Sequence, residues 1–190
     1  MTPQPGILYL HGFRSSPQSF KARLLERAMA ERGLASRFFC PALSHQPRLA
    51  MAQAEAILAE QGPLTLVGSS LGGYYATWLA EKHDLAAVLV NPAVVAHLSL
   101  ADYLGSQTNL YTGEVFDFTR EHIATLEALA VAELSPSRYW LLVEEGDEVL
   151  DYRQAVARYA GARQTVLPGG DHSFTRFGEY VPQILEFAGL

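Results

Sequence analysis

The sequence lacks the features that would place it in several large classes of protein. It holds one cysteine, Cys40, in 190 residues. That excludes an internal disulfide and any metal cage built from several thiolates. No apolar run approaches the roughly 18 unbroken residues that a membrane span requires. No run of like charges exceeds three residues, so acidic or basic tails are absent. The opening stretch MTPQPGILYLHGF has no basic region leading into a long apolar segment, and is expected to be neither a signal nor a transit peptide. A net charge of −6 gives nucleic acid or an anionic membrane little to attract. Internal repeats and low-complexity segments are missing too. These absences leave a cytoplasmic globular protein as the expectation, and they fix no oligomeric state.

The residues present describe one folded unit. Hydrophobic residues at 49% and charged residues at 18% are enough for a sizeable core, and 190 residues suit one domain spanning 1–190. Cys40 follows Phe38 and Phe39 and reads as a buried packing residue.

Short apolar runs recur at 6–10, 36–40, 64–68, 86–90, 139–143 and 164–168. Most are continuously apolar, as expected of parallel strands covered on both faces. Amphipathic stretches lie between them. Ser16 and Pro17 are expected to open a helix that Gly33 closes, and a second runs from Gln46 to Gly62. Others follow Gly72 and Asp151, and a last one fills 176–188. The alternation predicts an α/β fold: about six mainly parallel strands flanked by helices, joined by right-handed crossovers. In such sheets the site lies beyond the carboxyl ends of the strands. Residues 93–134 are too long for one crossover and carry Tyr103, Tyr111, Phe116 and Phe118. They read as a small lid or cap inserted after the fourth strand, with a helix near 119–132; a long surface crossover is the plainer alternative.

Chemistry-bearing residues follow the strands. After LTLV comes Gly68-Ser69-Ser70-Leu71-Gly72, a G-x-S-x-G pattern between an apolar run and a helix. A nucleophile on a sharp strand-to-helix turn needs glycine two residues to either side, because side chains there would collide. Only Ser70 has both. A phosphate cradle is the rival reading, but the lysine of a P-loop and the dinucleotide glycine triplet are absent.

A serine hydroxyl needs a histidine to take its proton. Of the six histidines, only His172 lies downstream of the acidic stretch EEGDEVLD, in the loop after the last strand candidate. It is the expected base. The acid that orients it belongs just beyond a strand, which selects Asp147. Asp151 is expected to cap the next helix in a capping box with Gln154, Glu148 to be a solvated neighbour, and Asp171 to diverge from His172. Glu144 and Glu145 stay unassigned. The carboxylate spacing fits no EF-hand-like loop, so no metal is expected. Phe13 and Leu71 are the expected backbone donors to an oxyanion, with His11 orienting the first loop.

The order YLHGF, VGSSLGGYYA, VLVNPAV, EEGDEVLDY and GGDHSF resembles the small bacterial α/β-hydrolase esterases of the YqiA/YcfP type, from residue 7 to about 187. The resemblance implies a minimal α/β-hydrolase sheet and a triad of Ser70, Asp147 and His172. It also implies hydrolysis of a small-molecule carboxylic ester or thioester, with no cofactor. A C–C bond hydrolase or lyase with the same triad, or a non-catalytic binding protein on this fold, are the alternatives. Tyr74, Tyr75 and the aromatic residues of 93–134 are candidates for an apolar acyl pocket. Arg14, Lys21 and Arg23 either meet an anionic leaving group such as coenzyme A or form a solvated helix face.

Overall fold

A computed structural model describes residues 5–190. For residues 1–4 the leader-free reading lies outside the described residues. Six parallel strands form one sheet: β1 (Ile7–Leu10), β2 (Phe38–Phe39), β3 (Thr65–Ser69), β4 (Ala87–Val90), β7 (Tyr139–Glu144) and β8 (Arg163–Leu167). Each matches one of the apolar runs. The spatial order is β2-β1-β3-β4-β7-β8. The chain leaves β1 for β2 on one side and returns to β3 on the other, so the direction of winding reverses beside β1 and β3. The carboxyl ends of that pair form the crevice where ligands bind in open α/β sheets.

The central strands β1, β3, β4 and β7 read as continuous apolar runs because both faces are covered, whereas the edge strands β2 and β8 are partly exposed. Ile7, Tyr9, Val67, Val88, Trp140 and Leu142 pack on one face beneath α1 (Phe20–Glu31) and α7 (Phe177–Phe187). Leu8, Leu10, Leu66, Leu89, Leu141 and Val143 point the other way, onto α2 (Pro47–Gln61) and α3 (Leu71–His83). Near-complete removal of such side chains from water stabilises each by about 1.5–3 kcal/mol. Cys40 is half-buried against the first cluster, and burial pushes its thiol up to about 12.

Two local readings need correction. The Ser16–Pro17 pair does not open α1. Ser16 O accepts the Ser19 N–H and Ser16 Oγ accepts the Gln18 N–H, both at 3.0 Å, so these residues form a separate turn and the helix starts at Phe20. Asp151 caps α6 (Tyr152–Arg158) by accepting the Arg153 N–H at 3.0 Å, without the reciprocal contact from Gln154. A capping box forms instead between Thr119 and His122, opening α5 (Arg120–Ala128).

Residues 93–134 contain more structure than one helix. After α4 (Ala96–Ser99) come the antiparallel strands β5 (Gly105–Thr108) and β6 (Val115–Phe118), then α5. Among the described residues no helix is long and apolar enough to cross a membrane.

Candidate active site

Ser70 sits between β3 and α3 with φ 55° and ψ −121°, a backbone conformation that is costly for any residue but glycine. The neighbouring glycines make that turn possible. A Cβ on Gly72 would overlap the Leu10 carbonyl, and one on Gly68 would overlap the Gly72 backbone. The collision expected from the sequence is therefore real, and it arises from β1 as well as from the elbow itself. Ser69, its neighbour, is buried.

The other two residues converge on Ser70. His172 Nε2 lies 3.1 Å from Ser70 Oγ, and His172 Nδ1 lies 2.8 Å from Asp147 Oδ2. Asp147 is held from its other side: Oδ1 accepts the N–H groups of Val149 and Leu150 at 2.9 and 2.8 Å. Nδ1 of the imidazole also lies 3.0 Å from Oδ1, so both oxygens face it, and Oδ2, free of backbone donors among the described residues, is the nearer. The Asp147 side chain is 2% exposed and that of His172 22%. The pair is thus shielded on the acid side and open on the substrate side.

Gly12 and Phe13 line the same cleft as Ser70 and His172, about 320 Å³ in volume. A Cβ on Gly12 would stand 3.2 Å from Ser70 Cβ, a measure of how closely this loop approaches. Leu71 opens α3, where its N–H has no acceptor within the helix. His11 secures the loop. Its Nε2 accepts the Leu43 N–H at 3.0 Å, which makes Nδ1 the protonated nitrogen, and Nδ1 lies 3.1 Å from the Gly12 carbonyl. Burial lowers the pKa of His11, in keeping with a neutral ring.

The carboxylates of 144–151 do not act as one device. Glu144 is fully buried, which the sequence did not suggest. It accepts the Asp171 N–H at 2.8 Å and the Arg176 Nε–H at 2.7 Å. Asn91, at the end of β4 with φ 40°, completes the bracket. Its Oδ1 accepts the Glu144 N–H at 3.0 Å, and its Nδ2 donates to the carbonyls of Asp171 and His172 at 3.0 and 3.3 Å. Glu148 is exposed but not idle: it accepts the His172 N–H at 3.0 Å, which lowers its own pKa. Glu145 is exposed and receives the Tyr152 hydroxyl at 3.3 Å. Neither Glu144 nor Glu145 touches the imidazole.

The aromatic residues divide differently from expectation. Tyr74, Tyr75, Phe116 and Phe118 are buried in the core. Phe13 packs edge-on against Tyr103, Phe116 and Phe118, with centroids 4.9–5.9 Å apart. These rings hold the first loop against the hairpin of β5 and β6, and Phe13 and Phe116, with Tyr75 and Leu71, line a small cavity of about 40 Å³. Tyr111 and Leu110, in the hairpin's connecting loop, do reach the cleft, while Leu110 N–H donates to Arg14 O at 2.9 Å. Of the three basic residues, Arg23 pairs with Glu26 and Arg14 reaches Gln107 Oε1 at 3.3 Å; Lys21 alone lines the cleft.

The comparisons with known proteins agree on the fold. The model of the uncharacterised protein family UPF0227 matches residues 6–189. A candidate hydrolase from Agrobacterium vitis S4 superposes with a TM-score of 0.77 at 19% identity, covering 97% of this chain and 88% of that one. Alpha/beta hydrolase domain-containing protein 10 from mouse gives 0.74 at 19% identity, over 100% and 90% of the two chains. Est1E from Butyrivibrio proteoclasticus gives 0.66 at 14% identity, over 98% and 89%. The chain therefore has the α/β-hydrolase fold and belongs to the uncharacterised protein family UPF0227, the YcfP/YqiA family.

Proposed function

We propose that this protein is a serine hydrolase of carboxylic esters or thioesters, working through an acyl-enzyme on Ser70. One observation carries the reading: a strained serine whose Oγ is 3.1 Å from an imidazole that a shielded carboxylate holds 2.8 Å away. His172 takes the Ser70 proton as Oγ attacks the substrate carbonyl, and Asp147 stabilises the imidazolium. The Phe13 and Leu71 N–H groups receive the oxyanion. The imidazolium protonates the departing alcohol or thiol, leaving the acyl group on Ser70. Water, deprotonated by His172, then releases the acid.

In this reading the chain is one domain and 93–134 is its cap. The contribution of Leu110 and Tyr111 to the cleft supports that role. The substrate is a small molecule met in the cytoplasm. Hydrolysis of p-nitrophenyl butyrate by the wild type and by Ser70→Ala tests the function. The variant is expected to lose about 10⁴-fold in kcat while keeping its circular dichroism spectrum. Activity persisting at a tenth of wild type would overturn the assignment.

A further inference from the structure

The cleft beside Ser70 is unusually well equipped for negative charge, in a protein whose net charge is −6. Its floor is the start of α1, where Ser19, Phe20 and Lys21 line the same space as Ser70 and His172. The first N–H groups of a helix have no intrahelical acceptor, and the helix dipole puts partial positive charge there. No acidic side chain occupies the first turn of α1 to neutralise it.

Two side chains sharpen this. Ser19, the N-cap, is 7% exposed and lines the cleft, with its Oγ buried beside the Tyr9 hydroxyl. Lys21 is half-buried and forms no ion pair among the described residues. Its Nζ gives one hydrogen bond, to Ser173 O at 2.5 Å, which leaves two N–H donors. The negative charge acting on it most strongly is Asp171, in the histidine loop, whose Oδ1 is buried without a hydrogen-bond partner among the described residues; Glu144 and Asp147 act more weakly. Glu144 and Asp147 are already engaged by Arg176 and His172. Desolvation brings the Lys21 ammonium down to about 8, so it is still mostly charged at neutral pH.

We propose that the start of α1, Ser19 and Lys21 form an anion subsite next to Ser70, so that the substrate is an ester carrying a carboxylate or phosphate near its scissile carbonyl. This deepens the hydrolase reading and rests on it. Hydrogen bonds from a charged donor in a partly dry cleft are stronger than neutral ones, and they supply the selectivity. Lys21 acts on substrate recognition, with Ser70 and His172 carrying the bond-breaking step.

The test compares matched esters differing only in charge. On the alcohol side the pair is 4-carboxyphenyl butyrate and 4-carbamoylphenyl butyrate. On the acyl side it is the p-nitrophenyl monoester of adipate and the corresponding primary amide. Wild type is expected to prefer the carboxylate of at least one pair by about tenfold in kcat/KM. The pair that responds identifies which side of the substrate the subsite reads. In Lys21→Met that ratio is expected to collapse to within about twofold, whatever happens to the absolute rates. In the wild type the preference is also expected to fade as pH rises through about 8, when Lys21 loses its proton. A wild-type ratio near unity for both pairs would overturn the subsite, as would a ratio that Lys21→Met leaves intact. A uniform fall on charged and neutral esters alike would also overturn it, since Lys21 would then only position the Ser173 carbonyl. Should the wild type hydrolyse none of the four esters, the hydrolase reading itself fails.

Discussion

Glu144 Oε2 accepts the Asp171 N–H at 2.8 Å, so the last residue of β7 holds the residue that precedes His172. The carboxylate is 0% exposed and its other oxygen takes Arg176. Removing the charge from such a pair strands a buried partner, which costs several kcal/mol where both ions are buried and less here, because Arg176 is partly open to water. Glu144→Gln is expected to lower stability by about 2–3 kcal/mol. It should also reduce kcat more than it changes KM, because the imidazole loses its register with Ser70. Urea unfolding and steady-state kinetics, taken where the variant is still folded, check both. An unchanged kcat in the folded variant would limit Glu144 to a structural role.

Both oxygens of Asp147 face His172 Nδ1, at 3.0 and 2.8 Å, but among the described residues only Oδ1 also takes backbone N–H groups, and that makes Asp147→Asn informative. Oδ1 must remain an acceptor for Val149 and Leu150, so the amide NH₂ replaces Oδ2 and faces His172 Nδ1. An imidazole that accepts this NH₂ at Nδ1 carries its proton on Nε2, towards Ser70. A base already protonated there cannot take the serine proton. The expected loss in kcat is about 10⁴-fold with little change in fold. A fall of less than about tenfold would mean that another group orients the imidazole.

Gly170 and Gly169 form a paired test of the same loop. Both have positive φ, 79° and 66°. A Cβ on Gly170 would overlap the Glu144 carboxylate, whereas one on Gly169 meets nothing within 4 Å. Gly169→Ala is expected to cost about 1 kcal/mol of backbone strain. Gly170→Ala should cost more, about 2–4 kcal/mol, and lower kcat as well. Equal unfolding midpoints for the two variants would show that the Glu144 bracket is loose.

His11 gives the stability a pH dependence. Burial lowers its folded pKa below the ordinary 6.5, so the unfolded chain binds the proton more readily. Its contribution is present above about pH 6.5 and is lost as pH falls through that value towards the folded pKa. His122, lowered by burial and by His45, adds in the same direction. His11→Gln keeps an acceptor for the Leu43 N–H but cannot titrate. Chemical unfolding between pH 7.5 and 5, at about half-unit steps, is expected to give a shallower loss for His11→Gln than for wild type. Parallel curves would assign the acid sensitivity elsewhere.

The parts legible in the sequence were those where chemistry dictates residue type. A nucleophile on a tight turn demands Gly68 and Gly72, and the fold's chain order then singles out His172. Continuous apolar runs located the four central strands, β1, β3, β4 and β7, because both of their faces are covered; the half-exposed edge strands β2 and β8 also fell on predicted runs. The hairpin of β5 and β6 escaped notice because GSQT is polar and largely exposed, with no alternation to mark it. Glu144, Asn91 and Arg176 escaped for another reason: each is an ordinary polar residue in the sequence, and only the folded chain brings them together behind His172. One signal was available. A polar Glu144 continuing the apolar run YWLLV, and an Asn91 continuing AAVLV, are both expensive unless partnered.

The most direct measurement is covalent labelling with a fluorophosphonate, followed by peptide mass mapping of wild type and His172→Ala. A Ser70 nucleophile activated by His172 predicts one stoichiometric adduct, on Ser70, formed in minutes by wild type and slowed by several orders of magnitude in His172→Ala. Wild type that stays unlabelled, or that carries the adduct on a residue other than Ser70, would contradict it.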